Sequence, residues 1–333
     1  MRYRALLPLA LALIPALRAE PVVIARTAST GTLAEAWIAA YQALHPAAVL
    51  SQTKETTDLP AVSLAELTAG TVTIAPFVRD VQPQELQALK EHFQAEPIVV
   101  AIATGSFATP SNTHAIAIYV NQANPLKEIS LAQLDAIYST SRNRGYPEAI
   151  RHWSQLDVSG PLAGSAIHPY GMVIERKSGN PHAGIVAYLI EHLLLNGRFD
   201  PSTRQVPDTG MGRGNNRALD EIAQAVARDP AAIGYSGFAN QVPGIRALGL
   251  SEGPGQPAVS GMEATVSART YPLTRTIFAL LSPRASEDDL AFMRFVLSPA
   301  GQALVKQDAA KFLPLPEEFA ASQRARLPAQ ARN

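Results

Sequence analysis

The residues of this chain best suited to chemistry form a short turn, Thr30-Gly31-Thr32-Leu33. It lies between an apolar run, Val22-Val-Ile-Ala25, and a segment that repeats Leu33, Trp37, Ala40, Tyr41 and Leu44 at helical spacing. The first amides of a helix have no intrahelical partner and the macrodipole adds positive potential there, so such a turn suits phosphate or a similar oxyanion. Gly31 lets the backbone approach closely, the Thr30 and Thr32 hydroxyls can donate, and the Leu33 amide points outward at the helix start. The same residues could instead cap their own helix and do nothing else. Their place after the first strand favours the ligand. Arg79 and Asp80 fall where a later strand, Val72-Thr-Ile-Ala75, ends. A guanidinium there can take an oxyanion bidentately, or form an ion pair with Asp80 or Glu85 contributing about 0–1 kcal/mol. Asp80 is also placed to accept a proton from a protonated oxyanion.

Enzymatic constellations are weak by comparison. The seven histidines are scattered without a metal-binding spacing, and Glu191-His192 on an apolar helix reads as a helix rim. There is no cysteine nucleophile, and Ser165 near Gly160 and Gly164 does not make a nucleophile elbow. Gly210-Met-Gly-Arg-Gly214 follows no convincing strand and reads as a connector. The expectation is a binding protein, not an enzyme, with no cofactor and no metal.

The elements that must position the turn alternate between strand and helix. After Arg79, the segment Pro83 to Phe93 sets Leu86, Leu89 and Phe93 on one helical face, and Pro97-Ile-Val-Val-Ala-Ile-Ala103 reads as a buried strand. This order is that of an α/β domain. Gly105 to Asn112 is rich in turn formers and is the expected first crossing to a second lobe. That lobe opens with His114-Ala-Ile-Ala-Ile-Tyr-Val120, then a capping box at Ser130-Leu-Ala-Gln133. An apolar segment from Ile185 to Leu195 follows, then a helix from Ala218 stopped by Asp229-Pro230, and a strand at Ala232-Ile-Gly-Tyr235. Helices are expected from Asp288 to Leu297 and from Pro299 to Gln307. The expected division is lobe I over 20–110 and 241–316, lobe II over 111–240, and a C-terminal tail over 317–333 that is rich in Ala, Arg and Gln and ends unpatterned. In Tyr271-Pro-Leu-Thr-Arg275, Pro272 sets a strand entry and Arg275 is expected to cap carbonyls.

The 333 residues carry 28 basic and 28 acidic side chains and no cysteine. Met1-Arg-Tyr-Arg4, an apolar run from Ala5 to Leu17 and the small Ala19 form a secretory signal over 1–19, too short to span a membrane. Its removal takes away three arginines and no acid, leaving a net charge of −3. Such a balance argues against nucleic acid or anionic membrane surfaces as partners. The remaining length exceeds what one core usually serves, so two lobes with a cleft are expected. Nothing requires more than a monomer.

Several segments in order resemble the periplasmic phosphate-binding proteins of ABC transporters, of the type 2 periplasmic binding protein fold. They are Ile116-Ala-Ile-Tyr-Val-Asn121, Asn124-Pro125, Leu131-Ala-Gln-Leu-Asp-Ala-Ile-Tyr138, Trp153-Ser-Gln-Leu156, Ala232-Ile-Gly-Tyr-Ser236, Tyr271 to Arg275, Leu297-Ser-Pro-Ala-Gly-Gln302 and Phe312-Leu-Pro-Leu-Pro316. The resemblance implies two α/β lobes, each a mixed sheet flanked by helices, and phosphate held between them. It also implies delivery to permease subunits in the inner membrane and a periplasmic location. In the family the first turn uses a hydroxyl and the following amide, matching Thr32 and Leu33, and Arg79 sits where relatives carry Ser-Arg or Ser-Asp. A third contributor, Arg then Ser-Gly-Thr, is nearest to Arg176, Ser178 and Gly179. An alternative register places it on Ala183-Gly184-Ile185. The family's Gly-Ser-Gly loop has no counterpart in 52–63. These departures keep open a sensory or interaction module that retains the fold without carrying cargo.

Overall fold

The computed structural model describes residues 20–54, 60–109, 113–174, 184–207, 217–253 and 255–329. The chain runs β1 (Val22–Ile24), α1 (Gly31–Leu44), β2 (Leu50–Gln52), α2 (Pro60–Thr68), β3 (Ile74–Phe77), α3 (Pro83–Phe93), β4 (Ile98–Thr104), β5 (Ile116–Asn121), β6 (Glu128–Ser130) and α4 (Leu131–Tyr138). It continues through β7 (His168–Met172), α5 (Gly184–Tyr188) and a π-helical turn, Leu189–Leu193, to β8 (Arg204–Val206), α6 (Arg217–Arg228), β9 (Ala232–Gly237), β10 (Ile245–Ala247) and β11 (Gly249–Ser251). Last come α7 (Glu263–Ser267), β12 (Thr276–Leu281), α8 (Glu287–Val296), α9 (Pro299–Val305) and α10 (Glu317–Arg324).

Two mixed five-stranded sheets organise these elements, in the orders β2-β1-β3-β12-β4 and β10-β5-β9-β7-β8. Each is flanked by helices and has its own core, so the molecule is two-lobed as expected. In the first sheet β1 is parallel to β2 and β3, while β12 inserts antiparallel between β3 and β4, with Phe278 opposite both Phe77 and Ala101. In the second, β5 is antiparallel to β9 and β7 is parallel to β8 and β9.

The helical spacing read in the sequence becomes the packed face of α1: Leu33, Trp37 and Tyr41 are buried against Ile74, Phe292 and Met293. The Trp37 indole N–H donates to the Gly301 carbonyl at 2.8 Å. Burying a large apolar side chain contributes about 1.5–3 kcal/mol, so these rows hold the lobe together. In the second lobe α6 buries Leu219, Ile222 and Val226 on β9. A Cβ at Gly234 would come within 2.8 Å of Ile222 and Val226, so a glycine is what lets this helix lie so close to its strand. The Ser130 capping box forms as read: its hydroxyl accepts from the Gln133 amide at 3.2 Å and the Gln133 side chain accepts from the Ser130 amide at 2.9 Å.

Two expected boundaries shift. β10 pairs with β5 in the second sheet and β11 with β6 in a separate two-stranded sheet beside it, so the chain stays with the second lobe beyond Gln241, and β12 is the element that re-enters the first sheet. The segment from Glu317, expected as a tail, begins with α10, which packs on β4. Ala320 and Leu327 are buried, and the Gln323 Oε1 accepts the Ala101 amide at 2.9 Å. Alanine and glutamine are good helix formers, and a small-residue face lets the helix approach the sheet closely. Among the described residues no helix is long and apolar enough to cross a membrane.

Candidate interlobe anion site

The strand directions gather the chemistry-bearing residues at one end of the first sheet. The carboxyl ends of β1, β3 and β4 and the start of β12 lie there together, since Thr276 pairs with Thr104 and Phe278 with Phe77. Ligands of open α/β sheets bind outside the carboxyl ends of the strands. The second lobe meets this end through the start of α5 and the π-helical turn after it, where His192 reaches Asp80.

At the α1 turn the four expected residues divide by role. Thr30 is buried, its hydroxyl bonded to that of Thr27 at 2.7 Å, and it borders a small void in the core with Ile24, Trp37 and Phe292. Its hydroxyl faces inward. The Gly31 amide donates to the Thr27 carbonyl at 3.0 Å and the Ala34 amide to the Thr30 carbonyl at 2.9 Å. Among the described residues the amides of Thr32 and Leu33 make no hydrogen bond, and the Thr32 side chain is exposed. Arg26, at the end of β1, stands over this turn and pairs with Glu35 at 2.8 Å.

Arg79 is held by Glu85 in a two-pronged ion pair, Nη1 to Oε2 at 2.8 Å and Nη2 to Oε1 at 2.6 Å, and Nη1 also donates to the Asp80 carbonyl. The same Glu85 carboxylate accepts the Gln82 amide at the start of α3, so one acid caps a helix and fixes an arginine.

Asp80 is buried, and its Oδ1 lies 3.1 Å from His192 Nε2. Burial lowers the His192 pKa, but the hydrogen bond and charge of Asp80, with Glu191, outweigh it and leave the imidazole above its ordinary value. Burial raises the Glu191 carboxyl, and its Oε2 is buried without a hydrogen-bond partner. Asp80, Glu191 and His192 offer three ligand atoms within 4.8 Å of one another, enough for a cation, yet the positive Arg275 that acts on Asp80 opposes one.

Arg275 is itself 6% exposed. It does not cap carbonyls as expected: its Nε has no partner, and its side chain donates no hydrogen bond among the described residues. Tyr271, in the same segment, instead ties it to the second lobe by donating its hydroxyl to the Ile116 carbonyl of β5 at 2.9 Å. Burial lowers the Arg275 pKa, against the opposing influence of Asp80 and Tyr188. His114 is buried nearby, its ring pushed down to about 4 by burial and by the Arg275 charge, against a smaller upward pull from the Thr109 backbone.

Arg176, Ser178 and Gly179 lie outside the described residues, as does the connector Gly210 to Gly214. In the alternative register, Gly184 and Ile185 open α5.

Residues 15–300 match the family model of a PBP superfamily domain. The chain belongs to the PBP superfamily. This family is one of binding proteins rather than enzymes. The chain is 28% identical to the phosphate-binding protein PstS of Pseudomonas aeruginosa over 258 residues, 76% of this chain and 71% of that one. Among solved structures it is similar to PstS from Borrelia burgdorferi, with a TM-score of 0.54 and 16% identity over 89% of this chain and 99% of that one. It is likewise similar to an ABC-type phosphate transport receptor from Vibrio cholerae, with a TM-score of 0.53 and 16% identity over 89% of this chain and 100% of that one. These structures share the fold of the superfamily.

Within this superfamily member, sequence reading passed over Arg26 and the unpartnered state of Arg275, took His114 only as the opening of a strand, and took His192 for a helix rim. Arg26 had a usable signal, its position at a strand end just before the turn. The other three depend on which residues meet across the chain, and no local spacing reveals that.

Proposed function

We propose that this chain is a substrate-binding protein that captures phosphate or a related oxyanion between its lobes for delivery to an ABC permease. In this reading it is made with a cleavable signal over 1–19, works in the periplasm as a monomer, and closes its lobes on the ligand by hinge motion. The observation that carries it is the pair of unpartnered amides at Thr32 and Leu33, at the carboxyl end of the first sheet. The relative named for phosphate binding, 28% identical over most of the chain, supports the choice of ligand. Arg79 supplies positive charge at the same end of the sheet, and Asp80 can accept a proton from a protonated phosphate, which sulfate does not offer at neutral pH. Arg176, Ser178 and Gly179 are assigned the second-lobe contacts on the resemblance of their motif.

The two-pronged hold of Glu85 on Arg79 favours one other reading, a periplasmic sensory or interaction module that keeps the fold without carrying cargo. Thermal unfolding separates the two. Protein freed of anion by unfolding and refolding is heated with and without millimolar phosphate, with sulfate as control. Ligand at about a hundred times its Kd stabilises by about 2.7 kcal/mol. A higher midpoint with phosphate alone supports capture, and no shift with either anion moves the assignment to the module.

A further inference from the structure

The charged side chains at the interlobe contact are nearly all accounted for. Arg79 is held by Glu85. Arg144 donates to the Leu193 and His192 carbonyls. Arg269 donates to the Thr276 hydroxyl at 3.1 Å and lies over the Phe319 ring at 4.3 Å. Asp80 is engaged by His192.

Glu191 Oε2 is buried without a partner, and among the cations Arg275 is the exception. It is 6% exposed, its Nε is buried without a partner, and no carboxylate lies within 4.0 Å of its nitrogens among the described residues. The Tyr188 ring lies beside it, with the guanidinium carbon 5.8 Å from the ring centroid, and the Tyr188 hydroxyl is directed elsewhere, to the Thr274 carbonyl at 2.8 Å. A buried guanidinium without a hydrogen-bonded counter-charge is strongly unfavourable, and buried charges that persist are paired.

Gly184, from the second lobe, packs against this guanidinium: a Cβ there would lie 3.3 Å from Arg275 Nη2 and 3.8 Å from Arg79 Cβ. A glycine at this place lets both lobes approach the guanidinium without a side chain covering it.

We propose that Arg275 is the charged anchor for the bound oxyanion in this chain, the anion supplying the hydrogen-bonded counter-charge that Asp80, acting only at a distance, does not. The planar fork of arginine matches two oxygens of a tetrahedral anion. This rests on the oxyanion-binding reading and deepens it, because Arg275 takes the load that the Gly-Ser-Gly loop and the Glu85-bound Arg79 leave uncarried.

The test measures inorganic phosphate binding by calorimetry, and the unfolding midpoint without anion, for the unaltered chain, Arg275→Met and Arg275→Lys. The expected result is that Arg275→Met weakens phosphate binding by about a hundredfold, the usual scale for truncating one partner of a buried charge pair. Its anion-free midpoint should stay the same or rise, because an uncompensated buried charge has gone. Arg275→Lys keeps the charge without the fork and should lose about tenfold. An Arg275→Met protein that is folded and binds phosphate like the parent overturns the anchor. If Arg275→Met does not fold, Arg275→Lys decides, and parental affinity there overturns the anchor too. If the unaltered chain binds neither phosphate nor sulfate, the oxyanion reading falls first and Arg275 with it, a pattern distinct from loss in the variants alone.

Discussion

The carboxylate of Asp80 and the imidazole of His192 meet at 3.1 Å across the two lobes, though 112 residues separate them in the chain. The His192 pKa is raised, so this contact is strongest when the ring is protonated. Its contribution is fully present below the unfolded histidine value of about 6.5 and is lost as pH rises through the folded value above it. The midpoint of the anion-free protein should therefore decline between neutral and mildly alkaline pH, and His192→Gln should flatten that decline. A profile identical to the parent's would show that the contact does not hold the lobes together.

His114 acts in the opposite direction. Its folded pKa of about 4 lies below the unfolded one, so the unfolded chain takes up a proton that the folded chain refuses. Stability falls as pH drops from about 6.5 to about 4, by on the order of 3 kcal/mol. Acid titration of the unfolding midpoint should show this limb, and His114→Gln should remove most of it.

Glu85 competes with any anion for Arg79. Glu85→Gln should cost stability, because charge-assisted hydrogen bonds contribute about 1.5–3 kcal/mol. It should also tighten phosphate binding several-fold by freeing the guanidinium. Calorimetry on the folded variant reads both effects, and unchanged affinity would remove Arg79 from the ligand set.

Ser130 offers a purely structural control. Ser130→Ala removes one arm of the α4 capping box and should cost about 1 kcal/mol by chemical denaturation, with phosphate affinity unaltered.

Local rules made much of this molecule legible. The rows Leu33-Trp37-Tyr41 and Leu86-Leu89-Phe93, the Ser130 box and the strand runs before Arg79 and after Pro97 each carry their signal within a few residues. The misread parts lack such signals. β10 and β11 are three residues each, too short for alternation to show, so the stretch after Gln241 was assigned to the first lobe. α10 has few large apolar residues, and a side-chain amide on Ala101 fastens it instead. At the site, Thr30 looked like a donor because its spacing fits a turn, but Thr27 takes its hydroxyl. Arg275 looked like a cap because it opens a strand. That it has no partner is a property of the whole fold.

The central place of β12 in the first sheet bears on the order in which the molecule assembles. β3 and β4 are not neighbours; each pairs with β12, which arrives about 200 residues after β3 and about 170 after β4. Every strand of the second sheet, by contrast, lies between Ile116 and Ala247. The second lobe can thus fold from a contiguous stretch, while the first must wait for a distant strand to close its gap, and long-range pairing is slow. Pulse-labelled hydrogen exchange should find β5 and β9 protected before β3 and β4, so the lobe that begins the chain is the last to finish.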